Sequence, residues 1–376
     1  MKALQIGLDW FPERAGGLQR VYYDLMQAAP AGGVDVRGIV SGSPNVAIDS
    51  NKTVEAFARM SDPLWSRLLQ ARRAIRRAIE SYDPDLVVSH FALYTIPALD
   101  LIDRPFVVHF HGPWASEDMI ERNSNSRQGI KAWVERMVYK RASRCIVLSD
   151  AFGNILHERY GIPRDRIRVI PGGIDLDRFT VTLSRLEARQ RLGWPTDRPI
   201  ILSVRRLVRR MGLENLIEAM SEIVGKHPDA LLLIGGRGPI AGELAGEIAK
   251  RGLDRNIRLL GFISDDDLPL AYRAADLSVV PTIALEGFGL IAAESLAAGT
   301  PVLVTPVGGL PEVVRGLSEA LVFPGTTADD LAMRIADVLS GSVKLPDPAA
   351  CQSHAREQYG WDTVIGKMKA VYEEVM

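Results

Sequence analysis

Apolar positions along this chain fall in two alternating textures. Short β-branched runs with no polar interruption alternate with longer stretches in which apolar residues recur at helical spacing. Uninterrupted apolar runs suit strands buried on both faces, so the alternation predicts parallel strands joined by crossover helices, an α/β architecture. Two series are visible. The first contains "LQIGL", "VDVRGIV", "DLVVS", "FVVHF", "CIVLS" and "RVIP"; the second contains "PIILSV", "ALLLIGG", "IRLLG", "LSVVP", "PVLVT" and "ALVF". Between them, "GGIDLDRFTVTLSRLEARQRLGWPTDR" has the glycines, prolines and charges of an interdomain connection. The expectation is two Rossmann-like domains, one per half.

In such sheets ligands bind beyond the carboxyl ends of the strands, and two facing domains would form a cleft there. Four loops of unusual composition come after strands: "AGG" (15–17), "HGPW" (111–114), "RRLVRRMG" (205–212) and "EGFG" (286–289). Gly16 and Gly17 open a helix and would let backbone N–H groups approach an anion, although a double glycine without the G-x-G-x-x-G pattern is as readily a tight turn. The four arginines of the third loop are charged forks suited to diphosphate oxygens, with Arg206 and Arg210 the best candidates to point inward; the plainer reading is a solvated basic loop. In "EGFGLIAAE", Phe288, Gly289 and Leu290 would offer N–H groups at a helix start, flanked by Glu286 and Glu294. A sugar nucleotide would satisfy both carboxylates, one accepting from ribose hydroxyls and the other from a hexose. Otherwise Glu294 merely complements the helix dipole and Glu286 is exposed.

Composition narrows the partner. With 376 residues, 47% of them hydrophobic, and a net charge of −1, the chain can bury a large core and carries no basic field for nucleic acid, so a small ligand is expected. Cys145 and Cys351 lie far apart without metal-ligand spacing, which fits a reducing compartment. The opening "MKALQIGLDW" reads as a first strand and not as a leader, and no run is long enough to span a membrane, so a cytoplasmic location is expected. Asp265, Asp266 and Asp267 contain a literal D-x-D, but "SDDDL" reads as a helix start capped by Ser264, with Asp267 at the capping-box position. No metal is expected.

"EGFGLIAAE" with the subsequent "SLAAGTPVLVTPVGGLPEVV" resembles the E-x7-E region of the retaining glycosyltransferases of family 4, which have the GT-B fold. The likeness extends through "VIPGGIDLDRF", "SVRRLVRRMGLENLIEAM", "LLIGGRGP" and "GFISDDDLPLAYRAADLSVVPT", and more loosely through the first glycine loop and "HFHGPWASE". The closing "YGWDTVIGKMKAVYEEVM" resembles the family's last helix, which crosses back to the N-terminal domain. The resemblance implies an acceptor domain over 1–175, a donor domain over 176–358 and a returning helix over 359–376. It further implies that Glu286 holds the donor hexose, Glu294 the ribose and Arg206 the diphosphate. The amides of Phe288, Gly289 and Leu290 would line phosphate and sugar, Gly17 would let its loop close over the phosphates, and His111 would approach the transferred sugar. His109, two residues earlier, stays in the core. Met211 departs from the family, which usually has lysine there; Arg210 or Arg209 would have to replace it.

These implications define a hexosyltransferase that moves sugar from a nucleoside diphosphate sugar, UDP- or GDP-linked, to a hydroxyl of a saccharide, lipid-linked or small-molecule acceptor, as in polysaccharide biosynthesis. It needs no cofactor besides the donor substrate and no metal. A GT-B sugar-nucleotide epimerase and a non-catalytic sugar-nucleotide-binding protein stand as alternatives. Finally, "LWSRLLQARRAIRRAIE" (64–80) reads as an amphipathic helix carrying Arg67, Arg72, Arg73, Arg76 and Arg77 on its polar side. The plain reading is a helix packed on its domain; the alternative is peripheral association of its basic face with an anionic membrane surface, which would suit a lipid-borne acceptor.

Overall fold

The computed structural model describes residues 1–11, 13–14, 16–114 and 128–376. Ala15 of the first glycine loop and residues 115–117 of "HFHGPWASE" lie outside the described residues. The chain divides into two compact units, Met1–Gly173 together with Trp361–Met376, and Ile174–Gly360.

The first unit is built on seven parallel strands: β1 (Lys2–Asp9), β2 (Asp35–Ser41), β3 (Val54–Ala56), β4 (Leu86–Ser89), β5 (Phe106–Phe110), β6 (Arg144–Val147) and β7 (Ile167–Val169), in the order β3-β2-β1-β4-β5-β6-β7. Six correspond to the apolar runs of the first series. The three-residue β3, "VEA", is the seventh, too short and too polar to register as a run. One face of the sheet is covered by a core that includes Leu4, Ile6, Val87, Val108 and Phe110; Ala71, Ala74 and Ile75 from the helix Leu64–Tyr82 belong to it. The other face carries Ala3, Val36, Val88 and Val107 beneath Tyr22 and Leu25 of the helix Gly17–Ala28 and Val364, Met368 and Tyr372 of the final helix Trp361–Val375. That last helix is also tied by Glu374, which accepts from Arg144 Nη2 at 2.8 Å and from Arg168 Nε at 3.0 Å. These guanidinium hydrogen bonds hold the Glu374 carboxyl down at about 2.

The second unit has five parallel strands, β8 (Ile200–Val204), β9 (Leu231–Gly235), β10 (Ile257–Gly261), β11 (Leu277–Val280) and β12 (Val302–Val304), in the order β10-β9-β8-β11-β12. The sixth run of the second series, "ALVF", makes no strand. Glu319–Leu321 is a 3-10 turn, and the chain touches the sheet edge through one bridge from Val322 to Val304. Three apolar residues emerging from a turn provide too little length for a ladder. The segment expected to be a connection is instead part of this unit's packing. It contains the helices Leu176–Phe179 and Arg185–Leu192, the latter with a capping box between Ser184 and Glu187 and with Ala188 fully buried. Its charges are structural: Arg189 donates to Asp276 Oδ2 at 2.5 Å and to the Ala274 carbonyl at 2.8 Å.

Both sheets reverse their strand order once, between β1 and β4 in the first and between β8 and β11 in the second. At such a reversal the two crossovers leave in opposite directions and open a crevice at the strands' carboxyl ends.

Candidate active site

The second unit's crevice is lined by the segments that leave the carboxyl ends of β8 and β11. Arg205 continues β8, its N–H donating to the Gly235 carbonyl, and Leu207 continues it further by donating to Arg237. Extended backbone alternates its side chains, so Arg205 and Leu207 turn to one side and are buried while Arg206 turns to the other and is exposed. The Arg205 guanidinium, 6% exposed, donates from Nη2 to Glu286 Oε2 at 2.5 Å, Thr282 Oγ1 at 2.6 Å and Met211 Sδ at 2.7 Å. The Arg205 guanidinium is thus in contact with Glu286, while Arg206 lies on the exposed side of the segment. Arg210 is buried too, and its Nη1 donates to the Leu285 carbonyl at 2.7 Å. Arg209 is exposed and pairs with Glu214 and Glu243. Met211, in the position where the resemblance expects lysine, is buried against Arg205.

The backbone here is strained and closely packed. Leu285 sits at φ 50°, a left-handed conformation that costs a residue with a Cβ roughly 1–3 kcal/mol and is concentrated at functional sites. Its conformation places its carbonyl on Arg210 and the next side chain, Glu286, on Arg205. Gly308 presses on the Glu286 carbonyl so closely that a Cβ there would lie 1.9 Å from it, and the Gly309 N–H donates to the same oxygen at 3.0 Å. Gly212, at φ 69°, would bring a Cβ within 1.9 Å of the Pro281 carbonyl. No other residue type fits these two contacts without moving the arginine loop or the Glu286 turn.

Phe288 is buried, and Gly289, at φ 93°, caps the helix Leu290–Ala297. The first-turn N–H groups of a helix have no partner within it and form a donor set for an anion. Glu294 is one turn into this helix, half-buried, and its Oε2 accepts from Tyr272 Oη at 3.2 Å. Burial first, and the Glu294 carboxylate second, push the Tyr272 phenol well above its usual value, so it stays a donor. Ser264 accepts from the Asp267 N–H at 3.0 Å and bonds the Asp267 carboxylate at 2.8 Å, while Asp265 faces Arg178 at 3.3 Å. Asp267 thus has a capping role and Asp265 an ion-pair role.

The first unit's crevice gathers histidines. His90 comes directly after β4, His109 is on β5, and His111 comes directly after β5. His90 Nδ1 is 3.0 Å from His111 Nε2, and His90 Nε2 is 2.9 Å from Gln5 Oε1. His109 is buried and its Nε2 is 3.0 Å from Tyr372 Oη. Burial lowers all three imidazoles, His111 to about 4, so they are neutral near pH 7. The turn from His111 to Trp114 is held by the buried Glu135, which accepts from the Trp114 N–H at 2.9 Å and from the hydroxyls of Tyr139 and Tyr160 at 3.1 and 2.8 Å. Gly16, extended at φ 169°, precedes the helix that begins at Gly17, and Gln19 in its first turn donates to the buried Asp9 at the end of β1. Sequence reasoning singled out neither His90 nor Gln5. The placement of His90 immediately after "LVVS", at the end of a buried strand, was the available signal.

Residues 184–358 match the family described as Glycosyl transferases group 1, and residues 15–178 match Glycosyltransferase Family 4. The D-inositol 3-phosphate glycosyltransferase of Mycolicibacterium smegmatis is 31% identical over 92% of this chain and 78% of its own. That of Corynebacterium jeikeium is 32% identical over 79% of this chain and 74% of its own. This chain belongs to glycosyltransferase family 4. An uncharacterised glycosyltransferase of Methanocaldococcus jannaschii is also 32% identical, over 58% of this chain and 56% of its own length. The fold of this glycosyltransferase is GT-B: HepE from Anabaena, solved in complex with UDP, superposes over the whole of both chains with a TM-score of 0.81 at 21% identity. WaaG, a glycosyltransferase involved in lipopolysaccharide biosynthesis, does so with a TM-score of 0.71 at 19% identity.

Proposed function

We propose that this glycosyltransferase is a retaining hexosyltransferase that uses a nucleoside diphosphate sugar. The observation that carries the reading is the arrangement in the second unit. A buried Arg205 is joined to Glu286, and Glu294 lies one turn into a helix whose start supplies backbone N–H donors. The diphosphate of the donor takes its charge compensation from Arg205 and the amides of Phe288, Gly289 and Leu290. Glu294 accepts from the ribose diol, and Glu286, held by Arg205, accepts from the hexose hydroxyls. Arg205 takes the role that the resemblance gave to Arg206, because its guanidinium is the one in contact with Glu286. HepE has been solved in complex with UDP and with UDP-glucose, which supports UDP as the first base to test.

Catalysis depends on where charge develops. As the glycosidic bond lengthens, negative charge grows on the leaving diphosphate, and a preorganised guanidinium with helix-start amides stabilises that charge more than it stabilises the bound donor. The acceptor hydroxyl attacks from the face the diphosphate leaves, and a diphosphate oxygen takes its proton. No metal takes part in this scheme. The acceptor is a hydroxyl of a saccharide or of a lipid-linked sugar.

The test is a panel of UDP-, GDP- and ADP-sugars read by thermal stabilisation and nucleotide release, with and without acceptor glycans and with chelator. The expected result is stabilisation by one nucleotide series, acceptor-dependent release insensitive to chelator, and a product whose anomeric configuration matches the donor. Epimerised sugar nucleotide without an acceptor, or binding with no turnover under any acceptor, would replace transfer with one of the two alternatives. An inverted anomer would overturn retention.

A further inference from the structure

The first unit holds a buried hydrogen-bonded chain that runs into His111. Gln5 on β1, His90 after β4, His109 on β5 and Tyr372 on the final helix are each at most 3% exposed. The rings of His90 and His111 are inclined by 22°, with centroids 5.2 Å apart but facing nitrogens at 3.0 Å. Nitrogens nearer than ring centres mean that the rings meet edge to edge and nearly coplanar, with the two nitrogens aimed at each other. A metal between two such imidazoles needs about 2.0–2.1 Å to each nitrogen, and opposed lone pairs would then lie roughly 4 Å apart. The opposed nitrogens at 3.0 Å have the geometry of a hydrogen bond.

The direction of the chain is set by Gln5. Its Oε1 faces His90 Nε2, and a carbonyl oxygen only accepts, so His90 Nε2 carries the hydrogen. A neutral imidazole has one N–H, which leaves His90 Nδ1 as an acceptor and obliges His111 Nε2 to donate to it. Gln5 Nε2 is buried without a hydrogen-bond partner, and Tyr372 Oη meets His109 Nε2 in a separate pair.

We propose that Gln5 and His90 are positioning residues for His111: they commit its Nε2 hydrogen to His90 and leave its Nδ1 lone pair as the acceptor for a sugar hydroxyl. His111 then acts as a neutral hydrogen-bond acceptor and not as a cation. This rests on the proposed sugar transfer and on the sugar-facing role that the family resemblance implies for His111. The lowered basicity of all three imidazoles keeps the chain in this one protonation state through the neutral range.

The experiment has two arms. In the first, the full chain is labelled with 15N-histidine and its side-chain tautomers are read by long-range proton–nitrogen correlation near pH 7, with His111 and His90 assigned by loss of signal in His111→Gln and His90→Gln. Neutral Nε2–H forms at both residues are expected; an Nδ1–H form or an imidazolium at His111 overturns the proposal. This arm needs no substrate, so it stands even if no sugar nucleotide is turned over and the proposed function fails. In the second, His90→Phe is expected to lower kcat by about tenfold or more with donor KM changed less than about threefold, and His90→Gln, which keeps one acceptor and one donor, to recover most of the rate. Gln5→Leu is expected to mix the His111 tautomers and to lower kcat in parallel. Unchanged kcat in His90→Phe, or equal loss in His90→Phe and His90→Gln with the His111 tautomer intact, sinks the positioning role.

Discussion

Arg205 and Arg206 are neighbours of identical chemistry, and the structure separates them by a half-turn of extended backbone. Removing Arg205 leaves Glu286 half-buried without its partner and takes a cation from the developing diphosphate charge. Arg205→Ala is therefore expected to lose about 10²–10³ in turnover and to melt measurably lower, whereas Arg206→Ala loses less than about tenfold. Steady-state nucleotide release decides, and a larger loss in Arg206→Ala would return the diphosphate role to that residue. Met211→Lys places an ammonium beside the buried Arg205. The free protein is expected to melt lower through like-charge repulsion, and the stabilisation by sugar nucleotide to increase, because the diphosphate would then meet two cations. A lower melting point with no larger donor shift would show that the side chain does not reach the phosphates. Glu294→Ala is expected to weaken donor binding by about 1–3 kcal/mol in calorimetry, with little change in kcat, since ribose hydroxyls are held equally in ground and transition states.

At the scale of elements, the helix Leu64–Tyr82 shows how a sequence pattern is divided by packing. Of its five arginines, Arg72 is paired with Asp100, Arg77 with Glu55, and Arg67 donates to Tyr94 Oη. Arg73 and Arg76 remain exposed, in one helical stripe with Leu69 at 43% and Trp65 at 72% exposure. An exposed tryptophan and leucine that continue into exposed arginines have the chemistry of an interfacial helix. Weak, salt-sensitive binding to anionic vesicles is expected, each surface arginine contributing about 1 kcal/mol, with loss in the Arg73→Gln/Arg76→Gln double variant and reduction in Trp65→Ser. Flotation at low and high salt reads it out. Equal binding to neutral vesicles, or none at low salt, leaves the helix a structural element and favours a soluble acceptor.

For the whole molecule the three lowered histidines set an acid limit. In the unfolded chain they titrate near 6.5, and in the fold His111 titrates at about 4 with His90 and His109 well below the ordinary value. Between those values the unfolded state binds more protons, so stability is full above about pH 6.5 and falls as pH drops through that window. The Glu374 clamp, down at about 2, stays ionised there and does not contribute to the loss. A melting-temperature decrease on the order of 5–10 °C from pH 7 to pH 5 is expected, and a smaller one in His109→Gln. A flat profile would mean that the imidazoles are not neutral in the fold.

The sequence by itself determined the two parallel sheets, because uninterrupted apolar runs are stable only between two layers of helices, and eleven of the twelve strands coincide with such runs. It also determined the candidate Glu286 and Glu294, since glycines ahead of a helix between two carboxylates form a local pattern that needs no distant partner. Tertiary structure decided whatever depended on direction. Which of two adjacent arginines faces inward was open to alternation, with Leu207 marking the buried side, but the contact with Glu286 required β8 and β11 to lie side by side. The brevity of β3 hid it among polar residues until β2 gave it a ladder. Gln5, His90, His109, His111 and Tyr372 come from both ends of the chain and meet only because β1, β4 and β5 are adjacent and the last helix packs over them. A hydrogen-bonded chain made of contacts so distant in sequence leaves no periodicity to read, and its protonation state is set by burial, which only the fold supplies.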